Sequence, residues 1–88
     1  MRESFGRFLV DRGYKEWTLA GNPSTVYDYV KRIDKVCEWE GCSWETLSAR
    51  IDSVVADYDV GGRNQYRGAT SHNAVISALK QFRLFCNR

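Results

Sequence analysis

Four stretches of helical periodicity, separated by glycine, constrain this chain more than any other feature. Breaks at Gly13, Gly21-Asn22-Pro23, Gly41 and Gly61-Gly62 divide it into four segments. In each, apolar residues recur three and four positions apart, the spacing that places them on one face of an α-helix. Alternation with period two is absent throughout, so no strand is expected.

The first segment, from about Glu3 to Arg12, carries Phe5, Phe8 and Leu9 on one face, and Gly13 stands where a left-handed C-cap residue would. Tyr14 to Pro23 reads as a loop, with Trp17 and Leu19 too apolar to be left free; Trp17 is expected to pack back over the core. After Pro23, Ser24 is a good N-cap for a second helix whose stripe is Val26, Tyr29, Val30, Ile33 and Cys37 and whose outer face shows Asp28, Lys31 and Lys35, with Arg32 at its margin. Ser43 caps a third helix, with Glu45 in its first turn and Trp44, Leu47, Ile51, Val54, Val55 and Tyr58 on its inner side. Residues 60–70 form a long polar loop. A fourth helix, capped by Thr70 or Ser71, buries Val75, Ala78, Leu79, Phe82 and Cys86, with Phe85 at the flank, and turns Asn73, Ser77, Lys80 and Leu84 outward. The expected fold is an all-α, four-helix bundle of one domain spanning residues 1–88.

Length sets the scale of the function. Eighty-eight residues, 43% of them hydrophobic, build one modest core and one domain. No apolar run approaches the ~20 residues of a membrane helix, and the N-terminal residues lack the apolar core of a signal peptide. An intracellular, cytoplasmic protein is expected. His72 is the only histidine, and the odd set Cys37, Cys42 and Cys86 contains no CxxC pair, so neither a metal site nor a disulfide scaffold is indicated. Gly61-Gly62 lacks the lysine of a P-loop and follows a helix rather than a strand. No catalytic constellation can be assembled, and no cofactor is expected.

Charge is distributed unevenly. Net charge is only +2, yet all eleven acids lie at or before Asp59. Residues 60–88 hold Arg63, Arg67, Lys80, Arg83 and Arg88 and no acid, whereas residues 1–59 carry eight bases against eleven acids. Such asymmetry suggests a polyanionic partner. Arg63 and Arg67 lie in the glycine-rich loop, which leads into Thr70, Ser71, His72 and Asn73 at a helix start, where free N–H groups and the helix dipole favour phosphate. Asn73, Ser77 and Lys80 share the exposed face beyond, and asparagine and serine can address base edges. Ser24 and Thr25, with Lys31 and Lys35 further along, offer a second, diluted patch. Tyr66 between Gln65 and Arg67 either stacks on a base or sugar or folds over the core. Trp39 either covers the following loop or marks an interface.

The segment Thr25-Val-Tyr-Asp-Tyr29 leading an apolar-periodic helix, and Ser77-Ala-Leu-Lys-Gln-Phe-Arg-Leu-Phe85 in the last helix, resemble the second and closing helices of the core-binding domain of phage integrases and other tyrosine recombinases. The order of elements fits as well, across nearly the whole chain. The resemblance implies a SAM-like bundle forming half of a clamp around duplex DNA, with the second and fourth helices facing it. It further implies a catalytic domain following in the parent protein and other recombinase subunits as partners. That family's tyrosine nucleophile and its Arg/Lys/His/Arg constellation have no counterpart here; Val75 stands three residues after His72, so the His-x-x-Arg element is missing. The chain reads as an excised domain or gene fragment.

The expected function is thus a non-catalytic, duplex-DNA-binding module for recombination and integration. Ser24, Thr25, Lys31, Lys35, Arg63, Arg67, Thr70, Ser71, His72, Asn73, Ser77 and Lys80 are the candidate contacts. The alternative is a small helical interaction or self-association domain anchored by Trp39 and Leu84.

Overall fold

The computed structural model describes all 88 residues, and every named element in it is a helix. The elements are α1 (Arg2–Asp11), α2 (Thr25–Glu40), α3 (Trp44–Ala49), α4 (Ile51–Tyr58), α5 (Gln65–Gly68) and α6 (Thr70–Cys86). The all-α class stands, but with six helices rather than four. The expected third helix is split at Arg50, whose φ of −114° and ψ of 18° end α3 and begin α4. Ser53 Oγ donates to the Arg50 carbonyl, and the Arg50 guanidinium reaches Glu40 Oε1 at 3.2 Å. The apolar period runs unbroken through the split, which is why it is invisible in the sequence. The second departure is the 60–70 stretch, which is not an open loop and contains α5.

The long helices α2 and α6 pack against each other at the centre, and the rest gather around them. The core takes Phe5 and Leu9 from α1, Val30, Ile33 and Val36 from α2, Val54, Val55 and Tyr58 from α4, and Val75, Leu79, Phe82 and Phe85 from α6, all buried. Phe5 is the aromatic hub, with ring centroids 5.2 Å from Phe82, 5.6 Å from Phe85 and 6.0 Å from Trp44, so one side chain ties α1 to α3 and α6. The caps follow local chemistry. Ser43 Oγ accepts from the Thr46 N–H at 3.1 Å. Gly41 ends α2 in the left-handed conformation, φ 65°. Ser24 stands at the N-cap of α2, but its side chain makes no capping hydrogen bond.

Trp17 overturns an expectation. It does not cover the core; it is 60% exposed, and Leu19 is fully exposed. Backbone bonds hold this segment instead: Ser24 N–H donates to Glu16 O and Thr18 N–H to Asn22 O. The indole stands against the α1–α2 seam beside Pro23, Val26 and Tyr27.

One polar hub reinforces the core. Asp34 on α2 accepts from Arg2 Nη2 at 2.8 Å and from Trp44 Nε1 at 2.9 Å, joining α1, α2 and α3. The Arg2 hydrogen bond, aided by Trp44 and outweighing desolvation, holds this carboxyl below the usual aspartate range.

The 60–70 return is held by backbone approach. A Cβ on Gly68 would lie 1.9 Å from the Tyr58 carbonyl oxygen, and one on Gly62 would lie 2.2 Å from the carbonyl oxygens of Ala56 and Asp57. Asn64 N–H donates to Asp57 O at 2.7 Å. The return therefore folds onto the C-terminal carbonyls of α4 and answers groups a helix end leaves unpaired.

Two stability experiments follow. Gly68→Ala is expected to cost about 3 kcal/mol in urea denaturation because backbone must move. Gly6→Ala, whose Cβ would meet Val26 and Val30 methyls at 3.7 and 3.9 Å, should stabilise by up to ~1 kcal/mol as a helix-interior replacement. For Asp34, the folded-state pKa is depressed, so its contribution is full above about pH 5 and is lost as pH falls through the folded value. The gap in melting temperature between the parent protein and Asp34→Asn should accordingly narrow on acidification.

Candidate nucleic-acid interface

The acid-free tail does not stay acid-free once folded. Asp57 Oδ2 lies 3.0 Å from Arg63 Nη2, and Asp59 Oδ2 lies 3.3 Å from Lys80 Nζ. The Val60 N–H first and Lys80 second keep the Asp59 carboxyl below its ordinary range. The last two acids of the sequence are thus folded back onto two of the five tail cations. Arg88 lies at the other end of the molecule, over the Phe85 ring. Arg63, Arg67, Lys80 and Arg88 do not form one patch.

Cations converge elsewhere. Between α2 and the start of α6 runs a groove of about 450 Å³ that Lys31, Lys35, Trp39 and Tyr27 line from α2 and Thr70 and Val75 from α6. Tyr27, Lys31, Lys35 and Trp39 follow one another at four-residue steps, a single stripe along the helix. Lys31 Nζ lies 5.9 Å from the Tyr27 ring centroid and Lys35 Nζ 5.7 Å from that of Trp39. Arg67 joins from α5, its guanidinium carbon 5.1 Å from the Trp39 centroid and 5.5 Å from that of Tyr66.

The acids along the groove are engaged. Asp28 is 3.3 Å from Arg32, Asp34 is bound by Arg2, and Glu38 is 4.0 Å from Lys35. Lys31 and Arg67 form no ion pair.

Trp39 sits half-buried at the end of the stripe because Tyr58 lies beneath it, ring centroids 6.2 Å apart. Tyr58 is itself buried and donates its hydroxyl to Glu40 Oε2 at 2.8 Å. Burial, reinforced by that carboxylate, pushes the Tyr58 phenol far above its ordinary range, so it stays protonated. Trp39 therefore covers the return segment and is no free anchor. Tyr66 does not fold over the core; it is 67% exposed.

The entry to α6 corrects another expectation. Neither Thr70 nor Ser71 caps a right-handed helix. Ser71, His72 and Asn73 have φ of 55°, 57° and 68°, a left-handed turn of three non-glycine residues, and right-handed geometry begins after Asn73. Each such residue costs of order 1–2 kcal/mol. The turn is exposed throughout. Thr70 faces the α2 groove, while Asn73, Ser77 and Lys80 line a second cleft, of about 360 Å³, with Asp59 and Gln65.

Of the twelve candidates, Lys31, Lys35, Arg67 and Thr70 gather around the first groove and Asn73, Ser77 and Lys80 around the second, with Ser71 and His72 on the turn between them. Ser77 is half-buried rather than open to solvent. Ser24, Thr25 and Arg63 line neither groove. Sequence reading passed over Tyr27; its signal was present, an aromatic one helical turn before Lys31.

No metal site competes for this face: no three His, Cys, Asp or Glu side chains converge anywhere in the fold. Cys37 is buried, which pushes its thiol up to about 11. No helix is long and apolar enough to cross a membrane. Comparison with family models, with curated proteins and with solved structures finds no match to this chain.

The entry turn yields a test with opposite signs at neighbouring positions. His72→Gly should raise stability by up to ~1 kcal/mol by relieving a left-handed residue. Ala74→Gly, in the true first turn of the helix, should lower it by a similar ~1 kcal/mol. Thermal denaturation of the two variants checks both.

Proposed function

We propose that this domain is the DNA-binding module of an integrase-like tyrosine recombinase, not itself an enzyme, and that it holds duplex DNA with the face built by α2, α5 and the entry to α6. The observation that carries the reading is that Lys31 and Lys35 line one groove with Thr70, and that Arg67 stands over the Trp39 ring at the end of that groove. Lysine and arginine neutralise phosphates and release counterions, which supplies most non-specific affinity. Thr70 presents a hydroxyl in the same groove, and the exposed turn of Ser71, His72 and Asn73 that follows it carries hydroxyl, imidazole and amide groups suited to phosphate oxygens and base edges. The recombinase assignment, with its following catalytic domain and partner subunits, rests on the resemblance of the second and last helices.

Relative to the sequence-based contact set, weight moves from Arg63 and Lys80, whose charges are answered by Asp57 at 3.0 Å and Asp59 at 3.3 Å, to Lys31 and Arg67, which form no ion pair, and to Lys35, which meets Glu38 only at 4.0 Å. A second reading, a helical interaction or self-association domain, is favoured by one observation: Trp17, Leu19 and Tyr27 are exposed, and Trp17 and Tyr27 share one surface pocket with Pro23 and Val26. Its anchors would be these residues and Leu84, which is exposed, whereas Trp39 is half-covered by Tyr58 and Arg67.

Fluorescence anisotropy with a short duplex across a salt series separates the two. With three phosphate contacts, a fourfold rise in salt should weaken binding about 40-fold. Lys31→Gln should lower the salt slope by about 1 and weaken binding alike on all sequences, with the melting temperature unchanged because Lys31 has no ion-pair partner. Arg7→Gln, on α1 beside Phe85 and Arg88, should leave binding as it was. Binding that ignores Lys31 removes α2 from the interface. No binding at low salt, together with association that depends on Trp17 and Leu19, replaces this reading with the second.

A further inference from the structure

Two aromatic rings, Tyr27 in the α2 groove and Tyr66 beyond its margin across Arg67 from Trp39, are not needed for holding a closed duplex. Tyr27 is 53% exposed and Tyr66 is 67% exposed, and each ring has a cation beside it, Lys31 and Arg67 respectively. A duplex stacks its base faces internally and offers the protein only edges and backbone. A free aromatic face next to a cation instead matches an unpaired base next to its phosphate. The stripe is long enough to follow a strand. Tyr27 and Trp39 are twelve positions apart on α2, about 18 Å at the helical rise, or about five nucleotides at duplex stacking distance.

We infer that this groove takes unpaired nucleotides, with Tyr27 and Tyr66 stacking on bases while Lys31, Lys35 and Arg67 follow the phosphates. The inference rests on the proposed nucleic-acid role of the same face and narrows it to strands with open or extruded bases. Both rings are uncovered and stand on backbone that is itself held in place. Tyr27 lies on the regular helix α2, and Tyr66 on α5, which Gly68 clamps to the Tyr58 carbonyl. Trp39 has a different role: with Tyr58 against it and Lys35 and Arg67 around it, it positions the cations rather than stacking on a base.

The test uses the intact 88-residue chain and three probes: an oligodeoxythymidine of about 16 nucleotides, an oligouridine of the same length and a duplex of the same length. The single strands are expected to bind more tightly than the duplex. Tyr66→Ala and Tyr27→Ala should each weaken single-strand binding about fivefold or more and leave duplex binding nearly unchanged, while Tyr66→Phe, which keeps the ring, should restore it. Equal affinity for the two single strands assigns the site to unpaired nucleic acid in general, and preference for one assigns it to that sugar. Duplex binding that depends on Lys31 but is indifferent to both tyrosines, with no gain for single strands, overturns this inference and leaves the duplex reading standing. Binding to none of the three probes overturns both. Circular dichroism of each variant confirms that these exposed positions do not perturb the fold.

Discussion

The contact on which the candidate face depends is between two stretches of backbone. Gly68 lies so close to the Tyr58 carbonyl that no side chain fits between them, and Gly62 makes a similar approach to the carbonyls of Ala56 and Asp57 just before it on α4. These two contacts fold residues 59–69 onto the end of α4. Arg67 is thereby brought over Trp39, and Tyr66 is left facing outward. The same approach delivers the chain to the left-handed turn before α6. A return segment of any other shape would leave the lysines of α2 without their arginine and the exposed entry turn elsewhere.

Charge in three dimensions differs from charge along the chain. The run of residues without an acid suggests a basic tail, but Asp57 and Asp59 immediately precede it and fold back over Arg63 and Lys80. Ion pairs so exposed contribute little to stability, yet each answers a charge that a polyanion would otherwise meet. In the sequence the Lys31 and Lys35 patch is diluted by Asp28 and Glu38. In the fold Asp28 is taken by Arg32 and Glu38 lies 4.0 Å from Lys35, while Lys31 forms no ion pair. The electrostatic face therefore lies on α2 and α5 more than on α6.

Much of the architecture was legible. The spacing of Phe5 and Leu9, of Val26, Val30 and Ile33, and of Val75, Leu79 and Phe82 announced three of the buried faces directly, since burial of one helical face is a local property of residue order. Ser43 was readable as a cap, and the glycine after α2 as its end. The break at Arg50 was not, because the apolar period continues through it; there the Arg50 carbonyl takes the hydroxyl of nearby Ser53 and its guanidinium meets Glu40, which the turn after α2 brings back to it. The entry to α6 was misread for a related reason. Thr70 and Ser71 have the chemistry of caps, but the clamp at Gly68 dictates the direction in which the chain arrives. Trp17 was assigned to the core by its hydrophobicity alone, while the backbone bonds of its loop hold it at the surface.

Of the candidate site, the sequence determined the residue types and the stripe on α2, since four-residue spacing places side chains together on any regular helix. It determined the all-helical class for the same reason. Only the tertiary structure decided which charges remain free, which aromatic rings face solvent and which residues meet across elements. Those outcomes hang on contacts between residues distant in the chain, and above all on two glycines that let one backbone lie against another.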